Sequence, residues 1–179
     1  LSCECRKYFS YVHGTKTFEG KNIFRPEESL RLTSRPRTDT GVSFTGKRLQ
    51  SQASWSVSGE GLVTQAPITW LGYVDRSNGR ITEQGHPLEG STVEDRILIM
   101  PKASGSTVAP YILMELAYQE RAPKAVLLTD VCPLTIPACS LLGIPCAVGF
   151  VREILFTFKS GDHIEVRSDG DLVEAVRAD

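Results

Sequence analysis

The rhythm of apolar and polar residues changes about a third of the way along the chain. Up to about residue 50 no period lasts. Pro26 and Pro36 interrupt it, and Ser, Thr and Arg dominate Ser29 to Thr40. That pattern predicts a loosely ordered leader over residues 1–50, with one short strand or helix near Lys7 to Val12 at most. From about Gln52 the pattern sharpens. Leu62, Thr64 and Ala66 alternate with Val63 and Gln65, and Ile68 to Val74 is rich in β-branched and aromatic residues. Asn78-Gly79 then supplies a turn and Arg80 to Glu83 returns, which predicts a hairpin because Asn-Gly tolerates positive φ angles.

Further on, Gly85-His-Pro-Leu-Glu-Gly90 reads as a loop, and Arg96 to Met100 as an apolar strand. The apolar surface from Val108 to Arg121 is too broad for a helix with one wet face, so this helix is expected to lie buried against a sheet. Pro110 falls in its first turn, where a missing N–H costs little. Ala122 to Thr129 predicts a buried strand of the parallel kind. A short helix over Pro133 to Leu142 closes at Gly143, and Ile144 to Val148 forms another strand. Val151 to Lys159 fits either helix or strand. Gly161 to Arg167, Ser168-Asp-Gly170 and Asp171 to Val176 form a closing β-hairpin. The order is that of an α/β fold: one domain over residues 51–179 with a mixed sheet, short helices and added β structure.

Composition narrows this only a little. The chain has 179 residues, 41% of them hydrophobic, a net charge of −1 and a mean hydropathy of −0.12, as expected of a soluble protein. No apolar run approaches the roughly 20 residues that cross a bilayer. The first residues lack a signal peptide's basic start and apolar middle, so the cytoplasm is the expected compartment. The missing initiator Met reads as a fragment or a processed piece. Charge is uneven, +5 over residues 1–50 and −6 over the rest. The basic leader lacks the dense Lys/Arg run or interleaved aromatics of a nucleic-acid binder, so neither nucleic acid nor membrane is an expected partner. Five cysteines, an odd count in partly apolar surroundings, argue against a disulfide framework. Cys3, Cys5 and His13 are too few for a closed zinc site, and no metal ligands are assigned.

The most informative phrase is Pro101-Lys-Ala-Ser-Gly-Ser-Thr-Val-Ala-Pro-Tyr111. It joins a strand to a helix, which puts Gly105, Ser106 and Thr107 at a helix N-terminus, where unpaired N–H groups and the dipole attract anions. A serine hydroxyl there either caps the helix, worth about 1 kcal/mol, or binds and acts on an anionic group. One of the pair Ser106 and Thr107 can cap while the other reacts. His86 is a second candidate, as acid, ligand or substrate contact, although its Gly-His-Pro setting reads more simply as a surface loop.

Several phrases occur together in one order: Gly61-Leu-Val-Thr64, Leu71-Gly-Tyr-Val-Asp75, Asn78-Gly79, His86-Pro-Leu-Glu-Gly-Ser91 and Arg96-Ile-Leu-Ile-Met-Pro101. Gly105-Ser-Thr107, Ala122-Pro-Lys-Ala125, Gly161-Asp162 and Asp169-Gly170 continue the series. In this order the chain resembles the aconitase X swivelling domain, which is also the small subunit of phosphomevalonate dehydratase-like enzymes. The resemblance implies a β/β/α swivelling fold that works against a large aconitase-like subunit. That subunit holds an iron–sulfur cluster through its own cysteines, and the active site lies between the two.

The resemblance further implies that Ser106 is the catalytic base; Gly105, Thr107 and His86 stand beside it as candidate substrate contacts on their own chemistry. The reaction is dehydration of a small hydroxy acid, either 5-phosphomevalonate or cis-3-hydroxy-L-proline. His86-Pro87 leans toward the hydroxyproline type. Serine can act as a base only where nearby positive charge stabilises its alkoxide; the helix offers a dipole, and the partner would supply the rest. The sequence departs from the family pattern at Lys102-Ala-Ser-Gly105, Ala109-Pro110 and Ile136-Pro-Ala-Cys-Ser140. Two other readings stand beside this one: a binding module of the same fold without catalysis, and a phosphotransfer swivelling domain. The latter needs a histidine where Ser106 stands.

Overall fold

A computed structural model describes residues 42–49 and 53–178 of the chain. The expectation for Lys7 to Val12, and Cys3, Cys5 and His13, lie outside those residues. Seven strands close into a barrel: β1 (Ser43–Arg48), β2 (Ser56–Val63), β4 (Ile97–Met100), β6 (Ala125–Leu128), β7 (Cys146–Val148), β8 (His163–Asp169) and β9 (Leu172–Arg177). Their order around the barrel is β1-β7-β6-β4-β2-β8-β9, and β9 pairs back onto β1. The predicted α/β class with a mixed sheet, short helices and a closing hairpin is the observed one. Closure into a barrel was not expected.

β2, β4, β6 and β7 run parallel, and the remaining pairings are antiparallel. Of the parallel strands, β4 and β6 are apolar on both faces because both faces are covered. Along β4 and β6, Ile97, Ile99, Ala125 and Leu127 point into the barrel, where they meet Phe44, Phe150, Phe158 and Val173. Leu98, Met100, Val126 and Leu128 point outward to a second core. That core is closed by the helices α2 (Pro110–Tyr118) and α3 (Thr135–Leu142) and by the segment around Trp70, Ile81 and Val93. A single turn, α4 (Ile154–Thr157), occupies the stretch that fitted helix or strand, and buries Ile154 and Leu155 in the barrel.

Three expectations are corrected. Strand β1 lies inside the segment read as leader, so the boundary drawn at residue 50 falls within the domain. Its alternation is short: only Phe44 and Gly46 point inward among polar residues. Gly46 shows why the strand belongs there, since a Cβ on it would lie 2.5 Å from the Phe150 ring. Gly46→Leu is therefore expected to destabilise the domain by about 1–3 kcal/mol through overpacking, measured as a lower urea midpoint; an unchanged midpoint would detach β1 from the barrel.

The hairpin about Asn78-Gly79 is the second. Its turn forms, with Gly79 at φ +66° and its N–H on the Asp75 carbonyl at 2.8 Å, but only one rung follows, Val74 opposite Ile81. The arm before the turn instead splits into β3 (Ile68–Thr69) and an irregular turn, α1 (Trp70–Tyr73), where Gly72 at φ +87° breaks the run. Hydrogen bonds from the Ser77 hydroxyl and N–H, and from Asn78, hold the Asp75 carboxyl below its usual value.

The third correction is the helix after Ser106. It runs from Pro110 to Tyr118, not from Val108 to Arg121. Pro110 sits at its start, where a fixed φ suits the first turn. At its end Glu120 takes φ +58°. The Arg121 N–H reaches the Leu116 carbonyl and the Glu120 N–H the Ala117 carbonyl, a Schellman closure without glycine. No helix among the described residues is long and apolar enough to cross a membrane.

Candidate active site

The carboxyl ends of parallel strands are where open α/β sheets place their ligands, because the loops that leave them diverge. Here four such loops leave one rim of the barrel. Thr64 follows β2, Pro101 follows β4, Thr129 follows β6 and Gly149 follows β7. Backbone bonds tie the rim together: Thr64 N–H to the Ile99 carbonyl at 3.0 Å, Asp130 N–H to the Pro101 carbonyl at 3.0 Å, and Phe150 N–H to the Leu128 carbonyl at 3.3 Å. The ion pair of Arg152 with Asp130, 3.4 Å, links two of the loops.

The serine phrase stands on this rim. After β4 the chain makes a two-residue strand, β5 (Ala103–Ser104), which pairs parallel with β3. Gly105 then turns at φ +102°, a region that favours glycine. Ser106 and Thr107 follow, both exposed. The Ser106 hydroxyl accepts the Val108 N–H at 3.3 Å and its carbonyl accepts the Ala109 N–H at 2.9 Å. Ser106 thus closes a tight turn ahead of the helix, and the helix itself starts at Pro110 with no side-chain cap. The serine is presented, as expected, but four residues before the dipole's end, so less of that field reaches it.

The structure places Gly105, Ser106 and Thr107 on one exposed turn, and His86 on a different loop. His86 is not a surface residue: only 8% of it is exposed. Its Nδ1 accepts the Leu88 N–H at 3.1 Å within its own loop, and its Nε2 is buried without a hydrogen-bond partner. Its neighbour Pro87 borders a cavity of about 360 Å³ beside the end of β2, lined also by Thr64, Gln65, Leu155, Phe158 and Lys159. Ser106 does not line that cavity.

Two features escaped sequence reasoning. One is a pair of hydroxyls, Thr69 and Ser104, 2.7 Å apart and 35 positions distant in sequence. The other is a set of exposed apolar side chains on the rim: Val108 after β5, Val131 after β6 and Val151 after β7, exposed by 43%, 71% and 54%. Val108 was expected on the buried helix and Val151 in a stretch that fitted helix or strand, so neither was read as exposed; Val131 stands in a short loop and carries no period.

Cys132, Cys139 and Cys146 are buried and without disulfides. Burial pushes the Cys132 thiol up, and hydrogen bonds with Thr135, with backbone contacts, more than offset this and leave it below its usual value. The Cys139 thiol is pushed well above its usual value by its hydrogen bond with Cys146 and by burial. Among the described residues no three His, Cys, Asp or Glu side chains are placed to hold a metal ion.

Comparison with known proteins agrees with this architecture. The crystal structure of the holo form of aconitase X from Thermococcus kodakaraensis superposes with a TM-score of 0.67 at 26% identity. It covers 75% of this chain and 98% of the matched chain. The phosphomevalonate dehydratase small subunit of Methanothermobacter thermautotrophicus is 32% identical over 108 residues, 60% of this chain and 82% of the relative. That of Thermococcus onnurineus is 32% identical over 116 residues, 65% and 87% respectively. The family model for the aconitase X swivel domain matches residues 46–175, which takes in part of β1 and the whole rim. The chain belongs to the aconitase X swivel domain family.

Proposed function

We propose that this chain is the swivelling, small component of a dehydratase that removes water from a small hydroxy acid. In this reading Ser106 is the base, and a large subunit completes the active site. The observation that carries it is the exposure of Ser106 on a rim with three exposed valines. An alkoxide in water is a weak base, because the negative charge it gives up on taking a proton is already well solvated. An exposed hydroxyl beside apolar side chains becomes useful once a second surface covers it and expels the water. The names of the curated relatives support the same division of labour.

The chain's own part in the step is limited. Gly105 and Thr107 border the place where an anionic substrate group would sit. As an alkoxide, Ser106 Oγ takes the proton from the carbon next to the one that loses hydroxide, the C–H electron pair becomes the new double bond, and the serine is left as a neutral hydroxyl. His86, buried in the loop whose Pro87 lines the neighbouring cavity, shapes that loop in this reading and does not touch the substrate. Among the described residues no three His, Cys, Asp or Glu side chains could hold a metal ion, and in this reading the cluster that the resemblance implies is held by the large subunit. No step of this chain passes through it.

The names of the relatives make 5-phosphomevalonate the first substrate to test, and cis-3-hydroxy-L-proline the second. Co-expression with the large aconitase X-type polypeptide of the same genome is expected to give a complex that dehydrates one of them, while neither polypeptide alone does. A complex inert toward both, or an active large subunit alone, would overturn the reading.

A further inference from the structure

We propose that Thr69 is a positioning residue for Ser106, holding the serine turn by two contacts from one side chain. The inference rests on the reading of Ser106 as the base. Strands β3 and β5 pair Thr69 with Ser104 in register, and their hydroxyls share a hydrogen bond of 2.7 Å. The next residue, Gly105, turns at φ +102°, and a Cβ there would lie 3.0 Å from Thr69 Cγ2. The threonine methyl therefore stands where a side chain at residue 105 would lie, one residue before Ser106.

Because threonine branches at Cβ, a single χ1 setting fixes both its hydroxyl and its methyl. The backbone beneath is anchored on both sides: Trp70, which follows Thr69, is fully buried, and Ala103, which precedes Ser104, is 5% exposed. The contacts thus run from the core through Thr69 to the turn. A base displaced by about 1 Å loses on the order of 100-fold in rate, so a side chain that sets this bend sets the rate without touching the substrate.

The test uses the assembled complex, with 5-phosphomevalonate, or with cis-3-hydroxy-L-proline if the wild type turns over that acid. Thr69→Val keeps the shape and removes the hydroxyl. It is expected to lower kcat by roughly 10–100-fold with KM within about twofold. Thr69→Ser, which keeps the hydroxyl, recovers most of that loss. Ser104→Ala matches Thr69→Val, and the double variant is no worse than either single one, as expected for two halves of one interaction. In the full chain without partner, the amide resonances of Gly105 and Ser106 move in Thr69→Val and Ser104→Ala.

Wild-type kcat in Thr69→Val, where Ser106→Ala has lost it, would overturn the proposal, as would additive losses in the double variant. Full activity in Ser106→Ala would instead remove the base assignment. Thr69's hold on the turn is then decided by the amide resonances, and unmoved Gly105 and Ser106 peaks overturn it.

Discussion

Ser106→Ala in the assembled complex is expected to lower kcat by about 10²–10⁴-fold, the range that a positioned general base contributes. kcat/KM should fall by the same factor, because proton removal stabilises the transition state and not the bound substrate. Folding should hardly respond. Ser106 is exposed, and the hydrogen bond that it loses, to the Val108 N–H at 3.3 Å, lies at the long end of the useful range. Removing a capping side chain costs about 1 kcal/mol, which sets the upper end of the stability change. An activity loss of that size without a matching loss of stability separates the base from a turn-closing hydroxyl. Wild-type turnover in the variant would reduce Ser106 to the latter, and the domain to a binding module of the same fold.

Trp70→Ala is the change expected to do most harm to the fold itself. Trp70 is fully buried in the outer core with Ile68, Val74, Ile81 and Leu98. Removing so large a ring leaves a cavity that its neighbours fill only in part, at about 3–5 kcal/mol. For a chain of this size that lowers Tm by roughly 6–20 °C, at about 2–4 °C per kcal/mol. Its Nε1 has no hydrogen-bond partner, so the ring contributes by volume and not by polarity. Trp70→Phe, which keeps an aromatic ring and deletes the unpaired N–H, should therefore cost much less. Equal losses in the two variants would contradict that account. Calorimetry on the full chain distinguishes them.

The parts of this fold that could be read from the chain are those where local chemistry decides. Apolar runs such as Ile97–Met100 and Ala125–Leu128 can be little else than strands covered on both faces, and they are. Gly143 ends its helix with φ +67°, and the closing hairpin forms as read, although its turn is Gly170-Asp171 and Ser168 and Asp169 still belong to β8. What was misread depends on contacts distant in sequence. β1 has too few apolar residues to announce itself, and its place is set by β9, more than a hundred residues away, and by the Phe150 ring over Gly46. His86 reads as a surface residue because Gly-His-Pro is loop chemistry, but the loop folds back and buries the ring.

The site divides in the same way. Ser106 could be picked out because a glycine and two hydroxyls between a strand and a helix have a specific backbone use. Its distance from the helix end could not be foreseen, since Pro110 fixes where the helix starts and a tight turn fills the gap. The Thr69–Ser104 contact needs β3 and β5 side by side, and nothing in two two-residue strands predicts their pairing.

The central claim is that the carboxyl rim of the barrel is the face that a large subunit covers. Hydrogen exchange of the chain, alone and in complex with that subunit, tests it most directly. Amide exchange is expected to slow at residues 102–108, 129–132 and 149–152 on assembly, and to stay unchanged at the opposite end, around Thr92 to Arg96. Protection confined to that opposite end, with the turn at Ser106 still exchanging at its free rate, would contradict the claim.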